Sequence, residues 1–316
     1  MTSQGPSLSL SEILRLAKFS PLLALALAAC SPKGYALRQV ADAISSTGEG
    51  SALARDDDPD LIRDAVPFGL KTMESLADAL PDHLQLRLAL ARGFTQYGYA
   101  FVQQDADESN DAVRAKELRD RAARLYLRAR SYGLDGLRMA RGVTEEQLRG
   151  KETVRTQALA RTSREDVPLL YWTMASWGGA ISQRKTDLEL VGDVPSVAAM
   201  LDRALALDEA YDLGALHEFA ITFDPARPEG TTLEKQRGHF ARARDLQKGK
   251  KISALVTYAE AVAGPAQDRK QFEALLHEAL RFDVDAPAAR NERLENKIAQ
   301  RRARFLLAHE SDILSD

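Results

Sequence analysis

Arg55-Asp56-Asp57-Asp58-Pro59-Asp60 opens the stretch whose reading decides the fold, and Tyr97-Gly98-Tyr99-Ala100-Phe101-Val102-Gln103-Gln104 closes it. Between them Ile62, Val66, Leu70, Met73, Ala77 and Leu80 recur every three or four residues, the spacing of one helical face. The acidic residues and Pro59 stand where helix N-termini favour negative charge and proline. Pro81-Asp82 ends this helix. Leu86, Leu90, Phe94, Tyr97 and Phe101 then repeat the spacing, so a second helix carries an aromatic stripe. One hairpin cannot bury such a stripe, so further helices must pack against it.

Upstream, Arg15 and Lys18 precede Pro21-Leu22-Leu23-Ala24-Leu25-Ala26-Leu27-Ala28-Ala29-Cys30. An apolar run of about ten residues is too short to span a bilayer but suits a signal-peptide core. Leu27-Ala28-Ala29-Cys30 resembles the bacterial lipobox, which implies cleavage before Cys30 and acylation of the new N-terminus. More than one acyl chain makes such anchoring stable, at about 0.8 kcal/mol per buried methylene. Ser31 is not the aspartate that commonly retains lipoproteins at an inner membrane, so an outer-membrane, periplasm-facing location is favoured. The competing readings are a non-lipidated signal peptide and a buried N-terminal helix. The expected division is a signal peptide over 1–29, a tether with a short helix over 30–54, and a helical domain over 55–316.

Downstream, Asp111 to Tyr132 reads as a helix stopped by Gly133, and 134–167, with Gly136, Gly142 and Gly150, as an insertion containing small helices. Leu169 to Ile181 is apolar almost all round, as expected of a helix packed on both sides. Helical spacing continues to His309, with almost no period-two alternation, so the fold class is all-α. Ala129, Ala204, Ala243 and Ala279 fall at equivalent places, the last two intervals being about 39 and about 36 residues, close to the roughly 34-residue tetratricopeptide (TPR) unit. The expectation is a TPR-like helical-hairpin superhelix, an α-solenoid, with capping helices at both ends.

Composition narrows the function classes. In 316 residues, 45% are hydrophobic and 28% charged, as in a soluble globular protein, and the net charge of -3 argues against nucleic-acid binding. A single cysteine leaves no disulfide or zinc cluster. The five histidines, His83, His217, His239, His277 and His309, form no metal-binding pair, and neither a phosphate loop nor a nucleophile elbow occurs. The reading is therefore a binding protein, without cofactor, metal or catalytic residues.

Several segments together resemble the TatT components of TRAP transporters, across nearly the whole mature chain. They include Asp56-Asp57-Asp58-Pro59-Asp60-Leu61-Ile62-Arg63, Gly93 to Ala100, Leu170-Tyr171-Trp172, Ala175-Ser176-Trp177-Gly178, Tyr211 to His217, Gly238 to Ala243, Thr257 to Glu260 and Asn296 to Arg304. The resemblance implies a periplasmic lipoprotein with a TPR-like fold that works with the solute-binding P component of a TRAP system and carries hydrophobic or organic-anion ligands. The chain departs from the family between Pro225 and Glu234.

The expected ligand site is a groove lined by Tyr97, Tyr99, Phe101, Tyr171, Trp172, Trp177, Tyr211 and Tyr258. Some of these rings must pack between hairpins. Others must project, since Tyr97 and Phe101 share a face that Tyr99 does not, and Trp172 and Trp177 differ by about 140° around the helix. Two functions compete: an accessory component that exchanges a partly apolar solute with the P component, and a scaffold that grips a peptide or envelope protein. A homo-oligomer is compatible with either.

Overall fold

The computed structural model describes residues 32–46 and 51–315. Cys30 and the expected signal peptide lie outside them, as does the expected break at Gly48-Glu49-Gly50. Among the described residues there is no strand, and the chain is all-α. No helix among them is long and apolar enough to cross a membrane.

Helix α1 (Pro32–Ser45) precedes the hairpin of α2 (Pro59–Ala79) and α3 (Leu84–Tyr97, prolonged by a π-helical turn Gly98–Gln103 and a last turn Gln104–Asp107). Asp58 caps α2 by accepting from the backbone N–H groups of Asp60 and Leu61 at 3.1 and 3.0 Å, with Pro59 in the first turn. Leu86, Leu90, Phe94, Tyr97 and Phe101 are all buried, as the stripe required.

The third long helix, α4 (Ala112–Arg141), does not stop at Gly133. It ends at Gly142, whose left-handed backbone (φ 63°) closes the last turn. Gly133 serves a crossing instead: a Cβ there would lie 2.3 Å from the Thr173 hydroxyl and 3.1 Å from the Thr173 Cα on α7 (Val167–Gln183). Close packing of two helices overrides glycine's low helix propensity, which costs about 1 kcal/mol. The two short helices α5 (Glu145–Arg149) and α6 (Glu152–Leu159) therefore begin only after Gly142.

The chain continues through α8 (Leu188–Val191), α9 (Val194–Asp208), α10 (Tyr211–Phe223), α11 (Leu233–Gln247), α12 (Ser253–Tyr258, prolonged by a π-helical turn Ala259–Ala263), α13 (Arg269–Arg281), α14 (Arg293–Ala308) and α15 (Glu310–Ile313). Successive long helices touch: α3 with α4, α4 with α7, α7 with α9, α10 with α11, α12 with α13, α13 with α14. Three apolar cores result, one around α2 to α4, one around α7 and α9, and one around α12 to α14.

The last long helix returns to the first hairpin. Arg301 of α14 binds Asp105 at 2.7 Å and Glu108 at 2.6 Å at the end of α3, and the Leu294 N–H donates to the Ala54 carbonyl at 3.0 Å. The sequence of helices thus closes on itself, and the faces that look inward share one interior.

Candidate functional site

Three departures from regular helix deliver side chains to that interior. The π-helical turn of α3 carries Tyr99, and the π-helical turn of α12 carries Glu260. Such turns are rare and concentrate at functional sites. At the start of α10, Asp212, Leu213 and Gly214 have φ of 45°, 54° and 88°, a left-handed run that follows Tyr211. For Asp212 and Leu213 this conformation costs roughly 1–2 kcal/mol each. Gly214 is required by contact as well, because a Cβ would meet the Ala243 Cα at 3.2 Å and the Leu246 Cβ at 3.1 Å. The Lys251 ammonium, 2.8 Å from the Asp212 carboxylate, holds the run from across the interior.

Tyr99 is 48% exposed to water. Its hydroxyl is nevertheless surrounded: desolvation, then Glu260 of α12 and Glu218 of α10, push it well above the ordinary tyrosine value, while Arg302 of α14 pulls the other way. Tyr99 is therefore half-exposed while its hydroxyl faces charged groups of α10, α12 and α14. Tyr171 of α7 meets Trp172 edge-on at 4.8 Å and Tyr211 at 5.4 Å between ring centroids. Trp172 hydrogen-bonds the Tyr211 hydroxyl, and Arg92 of α3 lies within electrostatic reach of Tyr211 and Asp212. Burial raises both the Tyr171 and Tyr211 hydroxyls. Tyr99, Tyr171, Trp172 and Tyr211 therefore share the interior.

The other expected groove residues are elsewhere. Trp177 is fully buried in the core around α7 and α9, where its indole N–H donates to Asp193 at 3.0 Å. Gly178 and Gly179 admit the rings of Phe219 and Tyr126 beside it. Tyr258 is fully buried and stacks on Phe240 at 4.3 Å. Tyr97 and Phe101 pack in the core of the first hairpin, their centroids 5.5 Å apart. These four rings are packing residues because their helix face is the one that meets a neighbouring helix.

Sequence reading missed the charged lining. Lys251 is almost fully buried between Asp212, Glu295 (3.0 Å) and Glu292 (3.7 Å). Burial lowers its pKa, but these carboxylates more than offset that and hold it well above the ordinary lysine value. Arg302 forks onto Glu260 and reaches Asp107 at 3.4 Å; these residues, with Arg119 and Phe305, also line a cavity of about 440 Å³. Glu218 accepts the Ser253 and Thr257 hydroxyls, and its carboxyl is pushed up to about 7, by burial first and Glu295 second. No local motif announces these groups, since each charged group meets partners from another helix.

Two further clusters lie away from this interior. His217 and His239 face each other with Nδ1 atoms 2.9 Å apart, and burial together with the second ring lowers the His217 pKa. Among the described residues, no cluster of three His, Cys, Asp or Glu side chains could hold a metal. In the divergent segment after Pro225, Arg227 is buried between Asp202 (2.7 Å) and Asp224 (2.6 Å), which pins that loop to the body.

Residues 55–314 match the model of the family described as TAtT, TRAP transporter T-component. The chain is also 30% identical over 319 residues to an uncharacterized protein of Treponema pallidum (strain Nichols), covering 96% of this chain and 98% of that one.

Proposed function

Since the chain belongs to the TRAP transporter T-component family, an envelope-associated transport accessory family, we propose that it docks the solute-binding P component of its TRAP system and holds a small, partly apolar solute in the interior groove. The observation that carries this reading is the ring cluster of Tyr171, Trp172 and Tyr211, which shares the Glu218 carboxyl as an electrostatic neighbour with the half-exposed Tyr99 of α3. Apolar walls with a few converging polar groups are what small-molecule sites offer. Closure of the helix array by Arg301 favours a solute over the open channel that a peptide scaffold needs.

In this reading the helices stack in TPR-like fashion, as the neighbour-to-neighbour packing supports. Acylated Cys30 anchors the protein at the outer membrane, facing the periplasm. The test is a pull-down of the purified protein with its cognate P component, alongside native mass spectrometry for a co-purified small molecule. Tyr99→Ala with Trp172→Ala removes the small-molecule signal and leaves P-component binding intact. If neither signal changes in a folded double variant, the groove is not the solute site.

A further inference from the structure

One carboxyl group in the groove forms no ion pair among the described residues. Glu218 accepts the Thr257 hydroxyl at 2.9 Å on one oxygen, and the Ser253 hydroxyl at 2.7 Å and the Gln247 amide at 3.2 Å on the other. All three donors are neutral. The carboxylates around it are already paired: Asp212, Glu292 and Glu295 share Lys251, while Glu260 and Asp107 share Arg302. Among the described residues, none forms an ion pair with Glu218.

The groups within electrostatic reach of Glu218 include the phenol rings of Tyr99 on α3 and Tyr171 on α7. Aromatic faces attract cations, and a carboxylate beside them completes a receptor for a charged nitrogen. An anionic head would instead meet Glu218 and Glu295 with their donors and cations already engaged. Resting on the reading of the groove as a solute site, we propose that its solute carries a positively charged nitrogen, an alkylammonium-type head that ion-pairs with Glu218 beside Tyr99 and Tyr171.

This pairing is linked to pH. With the Glu218 carboxyl pushed up to about 7, the empty groove is about half protonated at neutrality. Binding of an ammonium releases that proton to solvent and leaves a carboxylate–ammonium pair. The other charged groups facing Glu218 are Glu295 on α14 and Lys251 ahead of α12, with Tyr99 and Tyr171 across the groove. Asp212, on its own helix, is tied to Lys251. The adjacent His217 pairs instead with Glu209 and His239.

The experiment is calorimetric titration of the purified protein with three probes of equal chain length: octyltrimethylammonium, octanoate and octanol. At pH 8 the cation binds at least tenfold tighter than the other two. Its affinity rises about thirtyfold between pH 5.5 and 8.5, as the fraction of ionised carboxyl does. Glu218→Gln keeps the shape and the hydroxyl partners, and abolishes both the cation preference and the pH dependence while octanol binding persists. Octanoate binding as tightly as the cation, a flat pH profile in the wild type, or a cation preference that survives Glu218→Gln would overturn the assignment while leaving the groove reading in place. If no probe binds, octanol included, or if binding ignores Tyr99→Ala, the groove reading itself fails and this inference falls with it.

Discussion

Trp177 provides the sharpest test of which rings are structural. Its side chain is fully buried, with the Arg130 guanidinium 4.5 Å and the Arg149 guanidinium 5.8 Å from the ring centroid, and its N–H on Asp193. A buried tryptophan removes about 200 Å² from water, worth about 5 kcal/mol at about 25 cal/mol per Å². An alanine keeps a small part of that and leaves a cavity which the surroundings fill only partly, so Trp177→Ala costs about 4 kcal/mol. Asp193 is not orphaned, because Arg149 stays at 2.7 Å, and no further penalty for a buried unpaired charge arises. Trp177→Phe keeps most of the burial but loses the N–H bond, and costs about 1–2 kcal/mol. The half-exposed Tyr99 is the control, Tyr99→Ala costing below about 1 kcal/mol. Urea denaturation followed at the helical circular-dichroism band measures all three, with thermal melts expected to shift by roughly 10 °C for Trp177→Ala. The reasoning is refuted if Trp177→Ala lies within about 1 kcal/mol of wild type, or if Tyr99→Ala costs as much.

Cys30→Ala is expected to release the protein from the membrane fraction or to leave an uncut precursor, and unchanged fractionation would remove the lipid anchor from the proposal. Gly133→Val forces α4 and α7 apart at Thr173 and is expected to destabilise the fold by about 1–3 kcal/mol despite better helix propensity, read as the denaturation midpoint. Glu218, with its folded-state carboxyl raised from 4.5 to about 7, contributes stability that is present in full below pH 4.5 and is lost as pH rises through about 7. Comparing Glu218→Gln with wild type over pH 4.5–8.5 should show that loss in the wild type alone; parallel curves would contradict the raised carboxyl.

Helices were legible in this chain because their signals are local. Capping at Asp58, the stripe from Leu86 to Phe101 and the all-round apolar run from Leu169 to Ile181 each concern residues within a few turns of one another. The family was legible for a similar reason, since its segments are short strings in a fixed order. Gly133 was misread because propensity is a weak prior, and a crossing helix needed the space that a Cβ would fill.

The all-α class and the positions of most long helices were therefore determined by sequence alone. Which rings pack between helices and which stay partly exposed was decided by tertiary structure. The helical wheel did separate Tyr99 from Tyr97 and Phe101, but it could not say which charged groups of other helices would meet the exposed face, since Glu218, Glu260 and Arg302 come from three different helices. The left-handed run at Asp212 and Leu213 is held by Lys251, and the Glu218 carboxyl is set by Ser253, Thr257 and Glu295. These partners lie 35 or more residues away along the chain, beyond the reach of periodicity, and they meet only when the helices close around one interior.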